Sequence, residues 1–543
     1  MTDRELHPPH GGAPTPEPSI PQQEAPSPAP NHPFDPTATP PSGTHAPAPS
    51  GDEGIESHND TERGRATPGR IAKAFGLQLV ARVVGLVASL ATMAITTTHL
   101  GLVSYGHLTS AIVFIGLWTS LTELGIGAVV VRRVTSGTGD LQHLIRLNVG
   151  LSLAYCVPLA AAAIGTGWLI YRDTAEVPMM IAIIAGGLAL TTLASCFQPL
   201  FMTDVRFGAV AVSDVGGRAL SLIGTIVLVR IDADLVWFAA VQLIPPLVML
   251  LIQGFVAHRA VGIRPVFSAR QSWELIRESL PQTGVLIVAA LYWRADAFLL
   301  SVLSTPAQTG AYGLAYQITS NATVISAVFL ASSLSTMTNL FATDRARFAQ
   351  FVQRSAEVLI FVGAPIAVVG LVLSPSLIGL LATQEFVVAG GRTLALLFIA
   401  LAVTFVTAVL SQALFAAHDQ VFLLRLNVVN LIGNIVLNVA LIPFFGAIGA
   451  ASALIVSEVI GMVVAGWRLR SRAPFQAPWG YLLRLAVPLA VATGVAIVLR
   501  HQFVLIPLTA SAVAYLLTSA LVGPIRLRTL MGLAKPSSGA DEV

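Results

Sequence analysis

Charge is what this sequence has least of. Only 11% of its 543 residues are Asp, Glu, Lys or Arg, against 54% hydrophobic, and the mean hydropathy is +0.75. A soluble globular chain carries about 25% charged residues. The deficit excludes an ordinary cytosolic enzyme and indicates a polytopic membrane protein. Cysteine is nearly absent too: Cys156 and Cys196 each sit inside an apolar run, which suits core packing rather than redox or metal chemistry. There are two lysines, Lys73 and Lys535, and each follows alanine, so no phosphate-binding G-K-[ST] loop exists. H-E-x-x-H and G-x-S-x-G are missing as well. These absences argue against catalysis, a bound cofactor, a metal centre and nucleic-acid recognition.

What is present falls into unlike parts. Residues 1–69 hold 16 of the 33 prolines and a net charge of −7. Proline at that density blocks helix and sheet, and too few apolar side chains are there to offset ordering entropy. A solvated acidic tail is expected, with Thr15, Thr39 and Thr67 each preceding proline. From Ile71 onward, fourteen apolar runs are long enough to cross a hydrocarbon layer of about 30 Å. The expected fold is therefore all-α and polytopic, with about 14 transmembrane helices.

Between runs six and seven lies a polar stretch, 258–282, in which Trp273, Ile276 and Leu280 share one helical face. It reads as an interfacial amphipathic helix joining two halves. The expected organisation is a tail (1–69), a first six-helix lobe (70–257), the linker (258–282) and a second lobe (283–470). Two further spans (471–525) and a short tail (526–543) complete it. With the N-terminus inside, 24 of the 31 basic residues fall on the inner side, four outside and three within spans. That bias predicts both termini in the cytoplasm. Tyr105-Gly106 just before run two and Tyr312-Gly313 at the start of run eight hint at a repeat, with lobes related by a pseudo-two-fold axis along the membrane normal.

Polar groups inside spans cost roughly 2.5–3.5 kcal/mol each at the centre of the bilayer, so each needs a reason to be there. Arg82 lies in run one, and Asp214 and Arg218 lie four apart in run five, spaced for a helical ion pair. Arg294 and Asp296 lie in run seven, within Tyr292-Trp293-Arg294-Ala295-Asp296. Two residues is about 200° of helical rotation, so they cannot pair with each other. Each needs another span, a water-filled cavity or a ligand. Glu123 and Glu458 are further intramembrane acids, and Asn427, Asn430, Asn434 and Asn438 form one polar stripe along run eleven. That stripe fits either interhelical hydrogen bonding or the wall of a sugar path.

The stretch Leu100-Gly101-Leu-Val-Ser-Tyr105-Gly106 resembles a signature of the oligosaccharide flippase family. That family lies within the multidrug/oligosaccharidyl-lipid/polysaccharide (MOP) exporter superfamily. Leu121-Thr-Glu123-Leu-Gly125-Ile-Gly127 before Arg132-Arg133 is similar to its second-helix ending, and Arg294-x-Asp296 before Gly310-Ala-Tyr312 to the start of its second half. Asn434-x-x-x-Asn438 with Leu441-Ile-Pro443-Phe-Phe-Gly446-Ala-Ile-Gly449 is the most specific match. The resemblance covers residues 71–470. It implies two six-helix lobes around a central cavity, two extra C-terminal helices, and alternating access. The cargo it implies is a polyprenyl-diphosphate-linked saccharide, moved from the cytoplasmic to the outer leaflet of the cell membrane for surface polysaccharide assembly.

On that reading Arg82, Arg218, Arg294, Asn434 and Asn438 are the substrate-binding candidates. Asp296, Glu123 and Glu458 are candidates for binding a coupling H+ or Na+. Membrane lipid surrounds the chain, and a polysaccharide polymerase or ligase is an implied partner. A lipid II flippase, a multidrug or cation antiporter of the same superfamily, and a non-transporting membrane scaffold are the alternatives.

Overall fold

The computed structural model describes residues 68–122, 125–203, 207–262 and 264–523. Among them every regular element is an α-helix. In chain order these are α1 (Pro68–Thr122), α2 (Ile126–Thr135), α3 (Leu141–Ile170), α4 (Glu176–Ser195), α5 (Gln198–Thr203), α6 (Phe207–Arg230), α7 (Leu235–Val241) and α8 (Ile244–Val261). They continue with α9 (Ala269–Leu303), α10 (Pro306–Thr343), α11 (Arg345–Leu381), α12 (Gln384–Ala416), α13 (Gln420–Arg470), α14 (Trp479–Leu499) and α15 (Leu505–Leu521). Lipid offers backbone groups no hydrogen bonds, so long helices are the expected solution for such apolar runs.

Eleven helices among the described residues are long and apolar enough to cross a membrane, and α15 is a shorter apolar one. The fourteen apolar runs thus appear on fewer, longer helices. Runs one and two share α1, and runs eleven and twelve share α13. A straight helix of 51 residues would extend about 75 Å, yet the two ends of α13 touch. Arg468 Nε lies 2.7 Å from Asp419 Oδ2, and Arg472 Nε lies 3.0 Å from the same oxygen. α13 is therefore a hairpin, bent where Pro443 removes a backbone donor and Gly446 takes φ 54°, ψ −130°.

α1 folds back in the same way at Gly101 (φ 71°, ψ 178°). On either side of the bend, His99 meets Asp232 at 3.8 Å and His107 meets Glu176 at 3.2 Å, both beside short interhelical loops. The limbs then run away from that end together: Ser89 accepts from Arg218 Nη1 at 2.7 Å, and the carbonyl of Thr122 accepts from the Tyr155 hydroxyl.

The linker between the halves is continuous with run seven. α9 extends unbroken from Ala269 through Pro281 to Leu303, so the amphipathic turn and that run are one 35-residue helix. Trp273 and Leu280 remain exposed, Leu275 is buried, and Glu278 bridges Arg132 and Arg133 at the end of α2. The largest apolar core belongs to α10–α13, around Tyr312, Phe348, Phe386 and Phe405. A second joins α1, α4 and α7 through Phe114, Met180 and Phe238. α14 and α15 pack on α11, with the Tyr515 hydroxyl donating to the carbonyl of Phe361 at 2.8 Å.

The closure of α13 makes a pH prediction. Arg468, and then Arg472, hold the buried Asp419 carboxyl below the ordinary carboxylate range. Protonating it costs more in the folded chain than in the unfolded one. The stabilisation is therefore complete above a pKa of about 4 and is lost as pH falls through the lower folded value. Asp419→Asn should lower the melting temperature at neutral pH by a few degrees and flatten the acid limb of the stability curve. Unchanged melting of the purified variant at pH 7 would mean that packing alone holds the ends.

Candidate functional site

The sequence Tyr292-Trp293-Arg294-Ala295-Asp296 lies on α9 where that helix passes between α1 and α10. Helical rotation sends its two charges to different surroundings, as their spacing requires. Arg294 is exposed, whereas Asp296 is only 2% exposed. The Arg294 guanidinium extends across to α1 and lies over Gly116, where a Cβ would come within 2.0 Å of Nη1. Glycine there leaves the room that the fork occupies. Among the described residues, no ion pair includes Arg294.

Arg294 lines a cavity of about 370 Å³ between the halves, with Tyr105 and Thr109 from α1, Trp293 from α9, and Tyr316 and Gln317 from α10. It is the one charged residue among the lining side chains. A second cavity, of about 380 Å³, adjoins the first and shares Trp293, Tyr316 and Ser320 with it. This one lies within the second half, and none of its lining residues is charged. The combined space offers one unpaired cation, aromatic faces and hydroxyls, and no carboxylate.

Behind this wall α9 and α13 bury a different set of polar groups. Tyr312 donates to Asp296 Oδ2 at 3.0 Å, and Tyr292 donates to Glu458 Oε1 at 2.8 Å. The other oxygen of each acid, Asp296 Oδ1 and Glu458 Oε2, is buried without a hydrogen-bond partner among the described residues. Asn434 and Asn438 are fully buried and bonded to each other, Nδ2 of Asn438 to Oδ1 of Asn434 at 3.0 Å. Their remaining amide atoms, Asn434 Nδ2 and Asn438 Oδ1, are also unpartnered. Asn430 packs on Gly461 of the returning limb of α13, so this part of the stripe faces its own hairpin. Neither Asn434 nor Asn438 lines the two cavities. Among the described residues, no group of three or more His, Cys, Asp or Glu side chains is arranged to hold a metal ion.

The remaining candidates lie in the first half. Arg82 lines a separate cavity of about 460 Å³ with Asp214, Ser213 and Gln253, between α1, α4, α6 and α8. Arg218 pairs with Asp214, Nε to Oδ1 at 3.1 Å, as their four-residue spacing predicts. Arg82 and Arg218 thus stand apart from the Arg294 cavity. Glu123 lies outside the described residues. The cavity residues that sequence reasoning missed are Trp293, Tyr316, Gln317 and a hydroxyl run on α10. A signal for the last was present in Thr319-Ser320-Asn321-Ala322-Thr323, whose hydroxyls recur on one helical face.

Residues 71–340 match the family model described as a polysaccharide biosynthesis protein. Among solved structures, the fold is similar to the lipid II flippase MurJ in an inward closed conformation. The TM-score is 0.70 at 14% identity, covering 85% of this chain and all of that one. It is also similar to an inward-facing multidrug resistance MATE family transporter of the MOP superfamily, with a TM-score of 0.59 at 12% identity, covering 73% and 98% of the two chains. At 12–14% identity, what this chain shares with the two transporters is their fold. Comparison with curated protein sequences gives no match.

Proposed function

We propose that this chain is a member of the MOP superfamily and carries a polyprenyl-diphosphate-linked saccharide from the cytoplasmic to the outer leaflet by alternating access, for surface polysaccharide assembly. The observation that carries this reading is the isolated Arg294, an unpaired cation exposed in a cavity whose lining holds no carboxylate. A diphosphate brings the missing negative charge, and the planar guanidinium fork binds its oxygens bidentately. The prenyl tail has no need of the cavity and stays in lipid. The matched family model, by its own description, concerns polysaccharide biosynthesis.

Deletion of the gene tests this directly. A polyprenyl-diphosphate-linked saccharide should accumulate on the cytoplasmic leaflet, and an unchanged distribution would overturn the reading. A lipid II flippase is the second reading, favoured by the likeness in fold to MurJ, since lipid II makes the same demand on Arg294. The saccharide that accumulates separates the two. A cationic-drug exporter is disfavoured, because the cavity offers a cation no counter-charge.

Without a phosphate-binding loop, the driving force on this reading comes from an ion gradient, from the membrane potential, or from consumption of the product outside by a polymerase or ligase. Asp296 and Glu458, each with one buried unpartnered oxygen, are the acids that would take up H+ or Na+.

The same reading puts the arginine-rich ends of the helices in the cytoplasm of a cell-membrane protein. Asp173→Cys and Gln502→Cys should then react with an impermeant thiol reagent in intact cells, and Thr138→Cys and Ser471→Cys should not. The native Cys156 and Cys196 are buried, so background is low. The reverse pattern would invert the orientation.

A further inference from the structure

The diphosphate reading leaves the second cavity without an occupant. Resting on that reading, we infer that this cavity is the saccharide subsite, built from the Trp293 and Tyr316 rings and the hydroxyls of α10. Three observations support it.

The first is adjacency. Trp293 and Arg294 are consecutive on α9, and Trp293 lines both cavities. In the cargo, the first sugar is joined directly to the diphosphate. A diphosphate on Arg294 therefore delivers that sugar to Trp293.

The second is the platform. The Trp293 indole remains 41% exposed, and its edge is braced by the Tyr292 ring at 5.9 Å and 79°. The Tyr316 hydroxyl donates to the carbonyl of Trp293 at 2.9 Å, while its ring stacks on Tyr312 at 6.0 Å and 15°. The aromatic wall is thereby fixed before any ligand arrives. The face of an aromatic ring is electron-rich and attracts the weakly positive C–H groups that line one side of a pyranose.

The third is the hydrogen-bonding sense of the α10 hydroxyls. Thr319, Ser320, Thr323 and Ser326 each donate to a carbonyl three or four residues earlier in α10, at 2.7–3.2 Å. A hydroxyl has one donor and two lone pairs. With the donor used, each of these can only accept, and a ligand rich in hydroxyl donors is its complement. With no charged lining residue, the subsite has no counter-charge for a second phosphate or a drug cation. The volume of about 380 Å³ lies within the roughly 300–1,000 Å³ of small-ligand sites.

The test compares two probes on the full chain in lipid nanodiscs: undecaprenyl diphosphate, and the same lipid carrying one N-acetylglucosamine. Trp293→Ala should weaken binding of the glycolipid about tenfold and of the bare diphosphate by much less, since Trp293 lines both cavities but only the sugar stacks on it. Trp293→Phe should restore most of the loss, which a folding defect would not allow. Arg294→Ala should weaken both probes. If Trp293→Ala weakens both equally, or neither, the subsite is refuted and the diphosphate reading stands. If the wild-type protein binds neither probe, the diphosphate reading fails and takes the subsite with it.

Discussion

Arg294→Ala should abolish translocation of the lipid-linked saccharide while the protein inserts at wild-type abundance. The guanidinium is exposed to the cavity and has no carboxylate partner among the described residues, so its removal strands no buried charge. Had it been half of a buried pair, truncation would cost about 3–5 kcal/mol and the protein would be scarce. What is lost instead is a charge-assisted contact to the cargo, about 1.5–3 kcal/mol, or more than tenfold in affinity.

Arg294→Lys should keep part of the activity, since the charge survives and the fork does not. Gly116→Ala supplies a variant that leaves every charge in place. Its new methyl would overlap Nη1 and push the guanidinium off its seat, so it should lower transport in the same direction as the lysine variant. Abundance and flux have to be measured together. An abundant Arg294→Ala protein with full transport would remove the diphosphate from this cavity.

The sequence told most where the backbone itself was constrained. Fourteen apolar runs foretold an all-helical membrane protein. The stretches around Gly101 and Gly446, which carried the family resemblance, prove to be the bends of the α1 and α13 hairpins, where φ is positive. The divergence of Arg294 and Asp296 was legible because helical rotation is local geometry. Their surroundings were not, because Tyr312 and Gly116 reach them only through tertiary packing.

Arg82 and Arg294 each lie inside an apolar run, and a place in a run does not say which neighbouring helix a side chain faces. The Asn stripe offered itself as a sugar path by its polarity, but two of its members are fully buried. The hydroxyls of α10 drew no notice, since Ser and Thr that bond back to their own helix pass as apolar in a hydropathy reading.

Gly106→Ala should open the cavity toward the face opposite the arginine-rich loops and reduce transport by more than tenfold. At that end α1 and α10 meet backbone to backbone: a Cβ on Gly106 would lie 1.8 Å from the carbonyl oxygen of Pro306. The same end is fastened by Thr97 Oγ1 donating to the carbonyl of Leu381 at 2.7 Å, and by the backbone N–H of Ala447 donating to Gln308 Oε1 at 3.0 Å. The obstacle is main chain and cannot swing aside like the tip of a long side chain. Relief requires the helices to part by roughly 1.5 Å, and packed interfaces switch between arrangements rather than stretch.

Alternating access needs this seam both shut and open, so a penalty confined to the shut form shifts the population by about tenfold for each 1.4 kcal/mol. The reporter is Ser320→Cys, which lines both cavities. In the otherwise wild-type protein it should react slowly with an impermeant thiol reagent applied from the loop side of Gly106, and in the Gly106→Ala background quickly. Equal labelling in the two backgrounds, with transport intact, would show that the seam is fixed packing and that the outer gate lies elsewhere.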